Sequence, residues 1–251
     1  MFAHRGGCAL GPENTLAAFD LGLQAGADGL ELDVHLSADG VPVVHHDVTV
    51  DRTTSHSGPV AGRTAAELAR MDAGYRFSRG GAFPFRDRGI GIPSLGEVLI
   101  RYRDVRIIIE MKVDSPQLGE AVARDVRAAA AIDRVCLAGY GARSAAAARA
   151  ALPGVASSAT HREVRLAVYR GLARWPPRDA GYGGYQVPER NGMIRIVSPR
   201  FVRDAHAAGL KVQVWTVDQE GDMRRLLDWG VDGLISNRPD AAAAVRTSRY
   251  P

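Results

Sequence analysis

Lysine is almost missing from this chain. Lys112 and Lys211 are the only two among 251 residues, so arginine carries nearly all the positive charge. Cysteine is equally scarce: Cys8 and Cys136 stand far apart and cannot make a disulfide scaffold. Free thiols and a reducing, cytoplasmic setting are therefore expected. No apolar run approaches the ~20 residues of a membrane-spanning helix. The first strand pattern begins at Phe2, so no signal peptide is expected. Aromatic residues make up only 6%, and no basic run or basic helix interleaves with them. The net charge of +4 thus suits small anionic ligands and does not ask for nucleic acid. Several motifs are also missing. No G-x-G-x-x-G follows a strand pattern, which lowers a dinucleotide-binding open sheet. The lack of G-x-S-x-G, C-x-x-C and H-x-x-x-H argues against serine-hydrolase, thioredoxin-type and zinc-hydrolase chemistry.

What is present alternates. "FAH" at the start, "GLELDV" (29–34), "RIIIEMK" (106–112), "RVCLAGY" (134–140), "ASSAT" (156–160), "GYQVP" (184–188), "KVQVWTV" (211–217) and "DGLIS" (232–236) read as strands. Helical patterns lie between them. Leu16, Phe19 and Leu23 follow a capping Asn14 or Thr15, and Met223, Leu226 and Leu227 precede Gly230. "AGADGLEL" (25–32) and "WGVDGLIS" (229–236) repeat one helix-to-strand joint, with Gly26 and Gly230 placed to stop a helix in the left-handed conformation. Strands alternating with helices predict parallel pairing with right-handed crossovers. Eight such units in a chain of this length predict a single α/β domain over residues 1–251, a (β/α)8 TIM barrel. Residues 48–93 break the rhythm. They are polar, rich in glycine and arginine, and hold one short helix candidate with Thr64 and Glu67 spaced as a capping box. This stretch is expected to be an insertion after the second strand.

Side chains alternate along a strand, so Glu31 and Asp33 share one face while Leu30, Leu32 and Val34 share the other. Glu110 and Lys112 repeat the arrangement after three isoleucines. For either strand alone a structural ion pair would suffice; matching carboxylates at two strand ends suit a hard divalent cation. Of the seven histidines, His4 ends the first strand pattern. His45 and His46 are adjacent, so only one can face a given pocket. His35 reads as a loop or surface residue, and His56, His161 and His206 as surface residues. Barrel active sites form at the C-terminal ends of strands. There the pattern gathers His4, Arg5, Glu31, Asp33, Glu110 and Lys112. Two fixed positive charges beside a cation suit a phosphate, and two histidines could serve as general base and acid.

"HRG" then "PENTLAAF", "ELDVHLSADGVPVVHHD" with "DRTT" beyond it, "IPSLGEVL", "IEMK", and "VQVWTV" ahead of "GVDGLISNRPD" resemble the glycerophosphodiester phosphodiesterase family, from the first residues to about residue 240. The resemblance implies a TIM barrel that hydrolyses glycerophosphodiesters to glycerol 3-phosphate and an alcohol. It implies His4 and His46 as the catalytic pair, and Glu31, Asp33 and Glu110 as ligands of one Ca2+ or Mg2+. By the same resemblance Arg5 and Lys112 surround the phosphate and Trp215 lines the pocket near the glycerol. Asp218 stands where the family often has Asn, and "SNRPD" varies its usual strand-end motif; both departures are read as lying apart from the metal and histidine set. Two further readings fit the same residues. One is lysophospholipase D-type cleavage, with "GGAFPF" (80–85) as an apolar wall or else as a small core of the insertion. The other is a barrel that binds a phosphodiester without turning it over. Oligomeric state and alcohol head group stay open.

Overall fold

A computed structural model describes residues 1–139, 141–172 and 180–249. Its parallel strands are β1 (Phe2–Ala3), β2 (Gly29–Leu36), β3 (Arg106–Met111), β4 (Val135–Gly139), β5 (Ala156–Ser157), β6 (Gly184–Pro188), β7 (Lys211–Trp215) and β8 (Gly233–Ser236). Helices follow each in turn: α1 (Leu16–Gln24), α2 (Leu95–Arg101), α3 (Pro116–Ala128), α4 (Ala142–Ala151), α5 (His161–Leu172), α6 (Pro199–Ala207), α7 (Glu220–Asp228) and α8 (Pro239–Arg249). Hydrogen bonding runs β5-β4-β3-β2-β1-β8-β7-β6. A lone parallel bridge between Ser158 and Gly184 joins the two ends. The expected (β/α)8 barrel is therefore present. All eight strand patterns form strands, some shorter than read; Tyr140, the end of one pattern, lies outside the described residues. "FAH" stops at Ala3, and His4 opens a 3-10 turn in which Arg5 takes a left-handed φ of 50°.

The alternation read from sequence decides which side chains go where. Leu30, Leu32 and Val34 of β2 pack with Ile107, Ile109 and Met111 of β3 in the shell beneath the helices, all essentially without solvent contact. Each fully buried aliphatic side chain contributes about 1.5–3 kcal/mol. The opposite faces point inward. A smaller cluster of Ile108, Ala138 and Ile235, flanked by Phe2, Cys136 and Trp215, fills the barrel interior. Above that plug sit Glu31, Asp33 and Glu110.

Caps and stops match their residue types. Thr15 accepts from the Ala18 N–H at the start of α1, which resolves the choice against Asn14. Gly26 and Gly230 adopt φ of 96° and 87° just past α1 and α7. Thr64 and Glu67 form a reciprocal capping box on a short helix, Ala65–Ala69. That helix belongs to the long segment between β2 and α2. The segment begins with a short antiparallel strand, Pro42–Val44, on β2. It has its own core of Val43, Val50, Val60, Leu68, Met71, Ala73 and Ile92. "GGAFPF" is not part of this core: Phe83 is 44% exposed and lies under the Arg86 guanidinium.

Candidate active site

Parallel register sets Asp33 of β2 directly beside Glu110 of β3. Glu31, two residues earlier on the same face, completes a group whose ligand oxygens all lie within 4.8 Å of one another. Glu31 and Asp33 are almost fully buried. Burial, then the charges of Asp33 and Glu110, push the Glu31 carboxyl well above its usual range. Burial and Asp33 raise Glu110 as well, against the pull of Lys112. Positive groups partly offset the cluster. The Lys112 ammonium lies 2.9 Å from Glu110 and 3.4 Å from Asp33. Arg5 donates its backbone N–H to Glu31 at 2.9 Å. Its guanidinium Nε lies 3.3 Å from Asp33 without hydrogen-bond alignment. Asn14, also left-handed at φ 57°, donates to Asp33 at 2.9 Å. The ion pair expected between Glu110 and Lys112 thus exists, and the carboxylates converge as well. Three buried carboxylates offer hard oxygen donors of the kind Ca2+ or Mg2+ takes.

His4 follows β1 directly. Its Nδ1 lies 2.6 Å from Asn237 Oδ1, just past β8. Asp218 fixes that amide: Asn237 Nδ2 donates to one Asp218 oxygen at 2.7 Å, and the Asn237 N–H donates to the other at 2.8 Å. A carboxylate can only accept, so the amide oxygen is turned to His4. His4 Nδ1 therefore carries the proton, and the neutral ring presents the Nε2 lone pair, 3.9 Å from Glu31. Burial lowers the His4 pKa against the raising effect of Asn237. These contacts correct the reading of Asp218 and "SNRPD" as remote from the histidines. Cys8 also donates to Asn237 Oδ1, at 2.7 Å, and burial pushes its thiol up to about 12, so it acts as a neutral donor.

His46 is oriented in the same manner from another side. Its Nδ1 donates to Asp47 at 2.6 Å. Arg52 donates to the other Asp47 oxygen at 2.6 Å and grips both oxygens of Glu13 at 2.7 Å. Glu13 in turn accepts from Arg5 at 2.9 Å. Despite burial, the Arg52 hydrogen bonds and the Arg5 charge hold Glu13 down at about 2. One chain of charges thus ties the surroundings of His46 to those of the carboxylates. His45 turns away and donates to the Thr49 carbonyl at 3.0 Å. His35 is not a loop or surface residue. It is buried in β2, and its Nε2 donates to the His46 carbonyl at 3.0 Å, because the Pro42–Val44 strand covers that end of β2.

His4, Arg5, Glu31, His46, Glu110, Lys112 and Trp215 line one cavity of about 610 Å3 at the C-terminal ends of the strands. Asp33 lies just behind them. His161, expected on the surface, also lines it, from the first position of α5. His56 and His206 stay outside; His206 pairs with Asp232 at 2.8 Å. No residue of "GGAFPF" reaches the cavity. Its far wall comes from α5 and from a hairpin after β6, Arg190–Asn191 with Ile194–Arg195. The two-residue loop of this hairpin is Gly192–Met193, with Gly192 in the left-handed region at φ 57°, so a glycine at the first turn position is the local signal that would have predicted it. Local signals existed too for Glu13, Asn14 and Arg52, which fall within "PENTLAAF" and "DRTT". None existed for Asn237 beside His4, a contact across 233 positions.

The model of the glycerophosphoryl diester phosphodiesterase family matches residues 4–241. A glycerophosphodiester phosphodiesterase of Caldanaerobacter subterraneus subsp. tengcongensis is 34% identical over 245 residues, covering 96% of this chain and 94% of its own. The crystal structure of a glycerophosphodiester phosphodiesterase from Agrobacterium tumefaciens matches with a TM-score of 0.79 at 30% identity, over 98% of each chain. An Oleispira antarctica phosphodiesterase, solved with the product sn-glycerol-3-phosphate, matches with a TM-score of 0.77 at 25% identity, over 98% of this chain and 96% of its own. By the full-length family match and this identity, the chain is an enzyme of the glycerophosphoryl diester phosphodiesterase family.

Proposed function

We propose that this enzyme hydrolyses a glycerophosphodiester to glycerol 3-phosphate and an alcohol, using His4 and His46 as the proton-transfer pair. The observation that carries the proposal is shared exposure. Two imidazoles, each held by an acceptor at Nδ1, line the same cavity as the converging carboxylates. Glu31, Asp33 and Glu110 would hold one divalent cation, Ca2+ or Mg2+. When bound, that cation supplies positive charge against the negative charge that grows on phosphorus.

The chain's own groups do the rest. Arg5 and Lys112 add fixed positive charge at the cavity floor and orient the phosphate. His4, neutral and with its lone pair on Nε2, removes the proton from the attacking hydroxyl. That hydroxyl belongs to water or to the glycerol itself. His46 takes the opposite role, since Asp47 gives its protonated ring a counter-charge. Its Nε2 proton passes to the departing alkoxide.

One assay tests this reading: release of glycerol phosphate from glycerophosphocholine, with Ca2+ or Mg2+ added and then removed by chelator. Turnover should vanish with the chelator, and His46→Ala should lower kcat by roughly two to four orders of magnitude. Chelator-resistant turnover would remove the cation from the proposal, and full activity in the variant would remove His46.

A further inference from the structure

Eight large apolar side chains are exposed among the described residues, and four of them share one corner of the molecule. Leu166 and Tyr169 stand one turn apart on α5, and Tyr169 is 63% exposed. Met193 and Ile194 stand at the turn of the hairpin after β6, 96% and 64% exposed. Tyr169 and Ile194 line the same cavity, so the two pairs meet beside its mouth. Single exposed apolar side chains need no explanation, but a group of them on adjoining elements marks a contact with something outside the chain.

Charge says what that something is. Arg162, Arg165, Leu166 and Tyr169 fall at i, i+3, i+4 and i+7, on one exposed face of α5, and an exposed Arg190 opens the hairpin. Arg162, Arg165 and Arg190 have no carboxylate partner among the described residues. The acids in the same two stretches are engaged elsewhere: Glu163 pairs with Arg149 at 3.2 Å, and Glu189 with Arg225 at 2.9 Å. The corner therefore combines apolar side chains with uncompensated positive charge. A second copy of the chain is a poor partner, since symmetric pairing would set arginine against arginine with no acid to answer it. A bilayer with anionic headgroups satisfies both parts. The apolar side chains enter the boundary between headgroups and acyl chains, and the arginines keep their guanidinium groups among the phosphates.

We propose that this corner seats the enzyme on a bilayer that bears anionic phospholipid, with the exposed face of α5 and the hairpin tip as the contact. The attachment is peripheral: no helix among the described residues is long and apolar enough to cross a membrane. It depends neither on the hydrolase reading nor on the identity of the substrate, because the residues that make it lie outside the carboxylate and histidine set.

The test is co-sedimentation of the full chain with vesicles of phosphatidylcholine alone and of phosphatidylcholine mixed equally with phosphatidylglycerol. Each arginine close to an anionic surface is worth about fivefold in partitioning, so the mixed vesicles should bind at least about tenfold more tightly. That preference should shrink several-fold between about 0.05 M and about 0.5 M salt. Met193→Ser and Arg162→Gln should each weaken binding at least about threefold. Neither residue lines the cavity and both are exposed, so both variants should melt with the parent. Ile100→Ser removes an exposed apolar side chain from α2 and should leave binding unchanged. Equal binding to the two vesicles, or equal loss in all three variants, overturns the proposal. Salt-sensitive binding that ignores Met193→Ser also overturns it, as adsorption of a basic protein by any surface. So does a dimer in solution that Met193→Ser breaks while no vesicle binds, since the corner would then be a protein interface. Hydrolysis of glycerophosphocholine in solution is read separately, and failure of vesicle binding leaves the hydrolase reading standing.

Discussion

Asn237 lies just past the last barrel strand, yet its amide oxygen decides which nitrogen of His4 faces the cavity. Truncating it to Ala should lower kcat by roughly 10- to 100-fold with little change in KM if His4 is the proposed base, because the amide touches His4 and not the proposed phosphate site. Asp218→Asn keeps an acceptor for the amide and should retain more activity than Asp218→Ala; steady-state kinetics on the three variants would check this. Glu13 supplies a second residue-scale expectation. Its pKa falls from 4.5 to about 2 in the folded state, where Arg52 and Arg5 hold it. The unfolded chain then binds the proton more readily, so this contribution is complete above pH 4.5 and fades as pH drops towards 2. At 1.36 kcal/mol per pH unit it amounts to about 3 kcal/mol. Glu13→Gln should be less stable at neutral pH and lose less between pH 4.5 and 2, as measured by denaturant titration. At this scale the sequence was legible wherever chemistry followed strand parity. Glu31, Asp33 and Glu110 converge because alternation and register demand it. His35 shares that parity, but the strand covering it could not be read from the same rule. Asp218 and Asn237 meet His4 only because the ring brings β8 beside β1.

Among the elements, the segment between β2 and α2 joins structure to chemistry through one side chain. Arg52 leaves the segment to hold Asp47 and Glu13, while the short helix at Ala65–Ala69 packs Leu68 into a separate small core. The two parts should answer differently to substitution. Thr64→Ala removes the capping box and should cost about 1 kcal/mol, lowering Tm by roughly 2–4 °C without changing turnover. A loss of turnover equal to that from Arg52→Ala would contradict this separation. The capping box and the helix were readable from four residues, since caps are local. The hairpin after β6 was also local, announced by Gly192 at its turn, but "GYQVP" ended the strand pattern before it. "GGAFPF" misled in the other direction: apolar composition alone does not say which cavity a segment faces.

Across the whole molecule, the ring is uneven. β2 and β3 are joined through six register pairs from Gly29 to Val34. β5 reaches β6 through the bridge at Ser158 and Gly184. Local opening should follow that contrast. Amide exchange should be slowest along Ile107–Met111 and faster by orders of magnitude at Ala159 and Gly183, whose N–H groups donate across the closing bridge; equal protection on both sides would contradict a loosely closed seam. Eight alternating units were enough to read the barrel, because each unit buries one strand face beneath its own helix. Where the ring closes loosely was not readable, since "ASSAT" looks like any other short strand.

That loose closure falls between the strands that lead into α5 and the hairpin, the two elements of the cavity's far wall. The carboxylates and His46 stand on the tightly laced half of the barrel, and the far wall of the cavity on the other. Over generations, drift on the loose half can alter the diet of the enzyme while leaving its cutting edge intact.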